Sequence, residues 1–385
     1  MHITRILLAE VQVPLPQTLR LGPVVITTRD YVAVRIETDA GVWGDAIGYP
    51  RGTPLLESLT RISQNLINTD PLMRRQGLQA FLMGNTTSRP VYSRAVSLID
   101  IALWDIAAKV SGLPLYRLLG GLRSDVPVTA VAGYYMDTRS LDNIADEVSR
   151  CIDEGYERVK VMLKGDDSAF DLRYTQTVTK RAPGRVAADA HWSWSTLTEA
   201  LGVCRRLDEL GLAFLEDPFN PQDWRLTSEL QRHLSTPIAA GEDVTDSRAM
   251  RDLAEGVSIV RVDATTCGGI TGAISAIHAA SFAGRTVFPH VFAPLHLHLA
   301  CAFSEIEGVE YIPSESGADP LEVLLKRPIT VTDGRMVADE EPGAGLELNW
   351  QSVMQRSSRS AVVETAKRKV SITGSISKQE DTGHE

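Results

Sequence analysis

The chain has 385 residues, 43% hydrophobic and 23% charged. That composition excludes disordered, collagenous and coiled-coil chains and allows two domains, or one large α/β barrel with additions. A formal net charge of -10 makes the surface a poor match for phosphate backbones, so nucleic-acid binding is not expected. Apolar runs stop well short of the ~20 residues that cross a bilayer, and the stretch from Met1 to Glu10 lacks the apolar core of a signal peptide. A cytoplasmic protein without a membrane partner is therefore expected.

Strand signals open the chain, from Val11 to Pro14 and from Tyr31 to Thr38. A turn at Asp39-Ala40-Gly41 leads into Val42-Trp43-Gly44, which together predict a small antiparallel sheet. From Leu55 to Val110 the pattern becomes helical: Leu98, Ile101, Ala102, Asp105, Ile106 and Lys109 keep a 3.6-residue period that stops at Gly112 with Pro114 beyond. Residues 1–124 thus read as an α+β domain. Short β-branched runs then alternate with helical segments: Val126–Val131, Arg158–Leu163, Arg185–Ala188, Ala213–Leu215, Ile238–Ala240, Ser258–Val262, Thr286–Phe288 and Glu310–Ile312. Repeats of this kind predict a parallel barrel over 125–319. Residues 320–355 are expected to return to the first domain, and 356–385, rich in Ser, Lys and Glu, read as a solvated polar tail. Cys151, Cys204, Cys267 and Cys301 form no Cys-x-x-Cys pair, which argues against a thiolate zinc site or a dithiol redox motif.

Three carboxylates fall where an apolar strand gives way to a turn: Asp189, Glu216 and Glu242, spaced 27 and 26 residues apart. Barrel enzymes place their chemistry at such strand ends. A single acid there is commonly a helix cap, but three in consecutive units would repel one another unless a hard cation such as Mg²⁺ sat among them. The next two units end in Asp263 and His290, neighbours on the same face. A carboxylate on one imidazole nitrogen fixes the tautomer and leaves the other nitrogen free to take a proton. His296 and His298 fall in a helical stretch and read as packing residues, while Trp192 and Trp194 are candidates for a pocket wall. No Gly-rich phosphate loop, nucleophile elbow or zinc pattern is present.

These residues resemble the mandelate racemase branch of the enolase superfamily, from about residue 1 to 345. The resemblance rests on Ser97-Leu98-Ile99-Asp100-Ile101-Ala102-Leu103-Trp104-Asp105, Gly112-Leu113-Pro114-Leu115-Tyr116, Leu118-Leu119-Gly120-Gly121, Glu216-Asp217-Pro218, Gly241-Glu242 and Asp263 followed by Gly268-Gly269-Ile270-Thr271. It implies a modified TIM barrel, (β/α)₇β, capped by the α+β domain. It also implies Mg²⁺ on Asp189, Glu216 and Glu242, the Asp263–His290 dyad, a catalytic Lys160, and Glu310 (less well, Glu315) on the substrate carboxylate. Homo-oligomerisation is implied too, as is a first step that removes the proton next to a carboxylate.

Two departures matter. Where the family has Lys-x-Lys, this chain has Lys160-Val161-Met162, and a thioether cannot take a proton. Alternation points Lys160, Met162 and Lys164 to one face, so Lys164 reaches the site from the rim or is a solvated loop lysine. After Asp189 the family often has Asp-x-Asn, and here His191 follows; it contacts a substrate hydroxyl, serves as an acid or fills a polar position. A racemase needs groups on both faces of the reacting carbon, whereas syn-dehydration needs one histidine. The expected function is Mg²⁺-dependent dehydration of a sugar acid, a small-molecule carboxylate, to a 2-keto-3-deoxy acid. Racemisation or epimerisation and a non-catalytic acid-binding barrel are the alternatives. Substrate choice is expected to lie in loops of the capping domain, Pro14–Asp30 and Ile47–Pro54.

Overall fold

The computed structural model describes residues 1–22, 24–364 and 370–374. The N-terminal half of the cap is an antiparallel sheet of β1 (Ile3–Leu21), β2 (Val24–Thr38) and β3 (Trp43–Gly48). Helices Leu55–Leu66, Arg74–Gly84 and Arg89–Val110 follow. The last ends where its period predicts, with Gly112 in left-handed backbone at φ 68°, a conformation that glycine adopts without steric penalty. The expected loop Pro14–Asp30 is instead a long hairpin, since β1 and β2 stay paired from Ile3↔Thr38 to Leu21↔Val24, with a register shift between Pro14 and Leu19. Its polar, proline-containing arm hides this, because only one face of the ribbon is buried.

Eight parallel strands follow: β4 (Asp125–Ala132), β5 (Arg158–Met162), β6 (Val186–Asp189), β7 (Leu215–Glu216), β8 (Ile238–Ala240), β9 (Ile259–Val262), β10 (Thr286–Pro289) and β11 (Val309–Tyr311). Their order is β10-β9-β8-β7-β6-β5-β4-β11, and a helix separates each from the next in sequence. Val287 of β10 bridges to Ile306 in the segment leading into β11, which brings the two ends of this path together as a (β/α)₇β barrel. Beneath the strand ends the interior is plugged by Ala187, Phe214, Ala239 and Phe288, with the two phenylalanine rings 5.7 Å apart. Ala187, Phe214 and Phe288 each lie two residues before Asp189, Glu216 and His290, so alternation sends those side chains into the same interior.

The motif Ser97–Asp105 docks the cap on the barrel. Ser97 Oγ accepts from Gly268 N–H at 2.8 Å, Asp100 accepts from the Thr271 N–H and hydroxyl at 2.9 and 2.8 Å, and Trp104 Nε1 donates to Thr271 Oγ1 at 3.0 Å. Gly269, at φ 78°, lies so close that a Cβ would stand 2.4 Å from that of Asp100. Gly269 is therefore required by close approach of the two domains, not by a ligand.

β12 (Arg335–Val337) stays on the barrel, pairing with β4, and beyond it a helix at Trp350–Gln355 brings the chain back to the cap. Buried Asp45 anchors it, accepting from Trp350 Nε1 at 2.9 Å. The expected tail is corrected by β13 (Ser357–Glu364), which pairs with β1, and β14 (Val370–Gly374), which pairs with β13. Only Ala361 and Val363 of β13 are buried, so its apolar alternation spans two positions amid serines and is a weak signal. Residues 365–369 and 375–385 of the expected tail lie outside the described residues. No helix among the described residues is long and apolar enough to cross a membrane, and all four cysteines are free.

Candidate active site

Register assembles the site. Met162 pairs with Asp189 across β5 and β6, and Asp189 with Glu216 across β6 and β7. Glu242 follows β8 after Gly241, whose φ of 130° re-aims the chain at the strand end. Pro289 pairs with Val262, so the following residues, His290 and Asp263, come side by side. The side chains of Met162, Asp189, Glu216, Glu242, Asp263 and His290 are all buried.

The carboxylates gather around two cations. Lys160 Nζ lies 2.6 Å from Glu310, 2.9 Å from Glu216 and 3.2 Å from Asp189. Arg261 Nη2 lies 2.8 Å from Glu310, 3.0 Å from Glu216 and 3.4 Å from Glu242. Burial alone would drive Glu310 up, but Arg261 and Lys160 outweigh it and hold its carboxyl below the ordinary range. Glu216 and Glu242 end above theirs. Burial leads in both; for Glu216 it exceeds the pull of Arg261 and Lys160, and for Glu242 the charges of Asp217 and Glu216 add to it. The two cations thus leave the acidic set under-neutralised, and Glu216 Oε2 is a buried oxygen with no hydrogen-bond partner. By chemistry, the hard oxygens of Asp189, Glu216 and Glu242 fit a divalent cation of the Mg²⁺ type. As the side chains stand, with Lys160 and Arg261 among them, no three acid, His or Cys groups among the described residues form a ready-made metal cage.

The dyad is formed. His290 Nδ1 lies 2.9 Å from Asp263 Oδ2; because a carboxylate only accepts, Nδ1 carries the proton and Nε2 is left with its lone pair. Asp263 Oδ1 is occupied by the Thr265 N–H at 2.7 Å. Burial favours the neutral imidazole and lowers the His290 pKa well below its ordinary value, and Glu310 only partly opposes this.

A small cavity of about 30 Å³ joins these groups, lined by Lys160, Met162, Asp189, His191, Glu242, His290 and Glu310 from the barrel, and by Leu21, Arg29, Tyr49 and Arg51 from the cap. His191 therefore belongs to the site, with a buried Nε2 that has no hydrogen-bond partner. Burial lowers its pKa to about 3, so the ring is neutral. Lys164 does not belong. Alternation stops with β5 at Met162, and the Lys164 ammonium turns away to Asp137 at 2.8 Å. Glu315 is exposed, and Glu310 alone faces the cavity. Trp192 and Trp194 are not on its wall; Trp192 Nε1 donates to Asp217 at 3.4 Å. His296 and His298 pack as expected: His296 Nε2 accepts from Ala264 N–H at 3.0 Å and His298 Nδ1 from Tyr116 N–H at 3.2 Å.

The sequence reading did not single out Arg261, Arg29, Tyr49, Arg51 or Asp319, although Arg29, Tyr49 and Arg51 fall within the cap segments Pro14–Asp30 and Ile47–Pro54 from which substrate choice was expected. Arg261 carried a signal, a charge in an apolar strand two residues before Asp263 and so on the same face. The other four carried no residue-level signal, since Tyr49 donates to Asp319 at 2.8 Å from 270 residues away.

Comparison with known proteins agrees with this geometry. Residues 3–120 match the mandelate racemase / muconate lactonizing enzyme N-terminal domain, and residues 143–352 the enolase C-terminal domain-like family. L-talarate/galactarate dehydratase of Salmonella typhimurium is 28% identical over 331 residues, covering 83% of this chain and 81% of that protein. N-succinyl-L-Arg/Lys racemase of Bacillus cereus is 25% identical over 376 residues, covering 92% and 98%. The crystal structure of L-talarate dehydratase from Polaromonas sp. JS666, complexed with Mg and L-glucarate, superposes with a TM-score of 0.82 at 26% identity, covering 94% of this chain and 99% of that one. With both of its domains matched, the chain belongs to the mandelate racemase / muconate lactonizing enzyme branch of the enolase superfamily.

Proposed function

We propose that the protein is a Mg²⁺-dependent sugar-acid dehydratase. The observation that carries this reading is the asymmetry of the cavity: a complete His290–Asp263 dyad and, where the resemblance leads one to expect a second lysine, the thioether of Met162 in the wall. His290 Nε2 removes the proton on the carbon next to the substrate carboxylate. The resulting imidazolium, held by Asp263, then donates that proton to the departing β-hydroxyl on the same side. Water leaves, and the enol tautomerises to a 2-keto-3-deoxy acid. Asp189, Glu216 and Glu242 would hold the Mg²⁺, which when bound supplies Lewis-acid counter-charge for the electron-rich carboxylate. Lys160, itself buried, adds a fixed positive charge there, where low exposure to water makes such charge more effective. Glu310, clamped by Arg261 and Lys160, faces the same carboxylate end of the cavity.

An epimerase reading has one observation in its favour, the partnerless Nε2 of His191 in the same cavity; Lys164, tied to Asp137, offers nothing to it. One variant separates the two. In His290→Asn, the dehydratase reading expects loss of both 2-keto acid formation and exchange of the substrate α-proton with solvent deuterium. Surviving exchange on one stereoisomer would identify a second base and replace the dehydratase by the epimerase.

A further inference from the structure

We propose that Arg94, on the cap helix Arg89–Val110, is a positioning residue that holds the two halves of the active site in register from outside the cavity; this rests on the reading of Glu242 as a metal ligand and of Asp263 as the partner of His290. Each half hangs on a short turn at a strand end. After β8 the turn closes with Val244 N–H on Gly241 O at 3.0 Å and carries Glu242 and Asp243. After β9 the turn closes with the Thr266 and Cys267 N–H groups on Asp263 O, both at 3.0 Å, and Thr265 N–H holds the Asp263 carboxylate at 2.7 Å.

Two consecutive residues of the cap helix bridge the same two turns. Ser93 Oγ lies 2.9 Å from Thr245 O and 2.9 Å from Thr266 O. Arg94 Nη1 donates to Thr266 Oγ1 at 2.9 Å, and its Nη2 is paired with Asp243 Oδ1. Nη1 also approaches Tyr49 O at 3.5 Å, at the start of the cap loop that brings Arg51 to the cavity. Asp243 Oδ2 is buried without a hydrogen-bond partner, so Arg94 is the only hydrogen-bond donor to the Asp243 side chain among the described residues. Arg94 is 7% exposed and does not line the cavity; it reaches the reaction only through the groups it holds.

A guanidinium is a rigid planar fork. With Nη1 on Thr266 and Nη2 on Asp243, the two turns cannot slide past one another without breaking a buried, charge-assisted hydrogen bond. Asp243 is the chain neighbour of Glu242, and Thr266 closes the turn whose first residue is Asp263. Movement of either turn therefore re-aims a group of the site, Glu242 at the metal or Asp263 at His290 Nδ1. A lysine at this position keeps the charge but offers one nitrogen, which cannot hold both turns.

The test measures Mg²⁺ affinity by calorimetry in the parent, Arg94→Met, Arg94→Lys, Asp243→Ala and the double variant Arg94→Met/Asp243→Ala, with folding checked by circular dichroism. A residue acting only by its charge gives single variants of opposite sign: Arg94→Met binds Mg²⁺ more tightly, Asp243→Ala more weakly, Arg94→Lys like the parent, and the double variant returns toward the parent. A positioning residue gives one sign. All three single variants should weaken Mg²⁺ binding by about 10- to 100-fold, the usual loss when an outer partner of a metal site is removed. The double variant should be no worse than the weaker single variant, because one link has been cut twice. The charge pattern overturns the proposal, as does unchanged affinity in a folded Arg94→Met protein. At saturating Mg²⁺, kcat for 2-keto acid formation in Arg94→Met should stay about 10-fold low, because the turn of Asp263 is still released; full recovery places Arg94 on the metal half alone and overturns the joint role. If the parent binds no Mg²⁺ or turns over no sugar acid, the metal-ligand or the dehydratase reading fails, and amide hydrogen exchange of the metal-free proteins decides this inference separately. Faster exchange in both 241–245 and 263–267 of Arg94→Met sustains it, and unchanged exchange in either segment removes it. Should Arg94→Met not fold, Arg94→Lys and Asp243→Ala carry the same comparisons.

Discussion

Exchanging Asp263 for asparagine tests the dyad more sharply than deleting it. Thr265 N–H donates to Asp263 Oδ1 at 2.7 Å while Oδ2 faces His290 Nδ1 at 2.9 Å. An asparagine must keep its carbonyl oxygen toward Thr265, because the amide nitrogen cannot accept that bond. Its NH₂ group is thereby turned on Nδ1, which must become the acceptor, and the ring proton moves to Nε2. The nitrogen that should take the substrate proton is then blocked. Asp263→Ala leaves both tautomers open and removes only orientation and counter-charge. In a histidine–carboxylate pair, the wrong-tautomer effect costs on the order of 10⁴ in kcat, about 5 kcal/mol. Loss of orientation alone should stay nearer the low end of the ~10²–10⁴ range for acid–base catalysis. The assay is 2-keto acid release in parallel with α-proton exchange into deuterated solvent, at matched Mg²⁺ and with the fold checked by circular dichroism. The expected order is parent, then Asp263→Ala, then Asp263→Asn, in both readouts. An asparagine variant more active than the alanine variant would refute the tautomer argument.

Further predictions concern the metal ligands and the domain interface. Glu216→Gln keeps side-chain shape but removes a charge from the proposed ligand set, so the calorimetric heat of Mg²⁺ binding should vanish without loss of fold; unchanged affinity would take Glu216 out of the metal site. Gly269→Ala places a Cβ 2.3 Å from Asp100 Oδ2 at a φ of 78° and should destabilise the protein by about 2–4 kcal/mol in chemical denaturation, with neutral behaviour disproving the close approach. Burial pushes the Asp100 carboxyl up to about 6 from 3.8, against the pull of its Thr271 hydrogen bonds. Folded protein therefore keeps a proton that the unfolded chain has released, and stability falls as pH rises from about 4 to about 6, by about 3 kcal/mol for a shift of this size. Asp100→Asn should lack that slope in urea midpoints measured across this range, and identical slopes in the two proteins would contradict it.

What could be read from sequence was whatever a strand end determines locally. Asp189, Glu216, Asp263 and His290 each lie at or one residue beyond the end of a short apolar strand, and in a parallel barrel such positions converge whatever the connecting loops do. Lys160 came with the resemblance, and alternation within β5 put it on the same face as Met162. Lys164 could not be placed that way, because alternation has no meaning past Met162 where the strand stops. The cap wall depends on contacts such as Arg29 with Ala318, 289 residues apart, and no local pattern carries such a pairing. The cap hairpin was half visible for a related reason: a two-stranded ribbon with one solvated face has no continuous apolar run, and prolines within it mimic a loop.

Met162 and Arg261 together separate two tasks that a second lysine on β5 would combine. Such a lysine balances charge among the carboxylates and can also exchange a proton. In this chain charge balance is shared with β9, where Arg261 stands between Glu216, Glu242 and Glu310. A guanidinium keeps its proton at any pH the fold survives, so it steadies the acidic cluster without offering a base. The position on β5 is left to a thioether, which offers neither charge nor proton. On the dehydratase reading, two permanent cations steady the acidic set while strong proton exchange is left to the face that carries His290, and elimination through one histidine is the chemistry that needs no more than this.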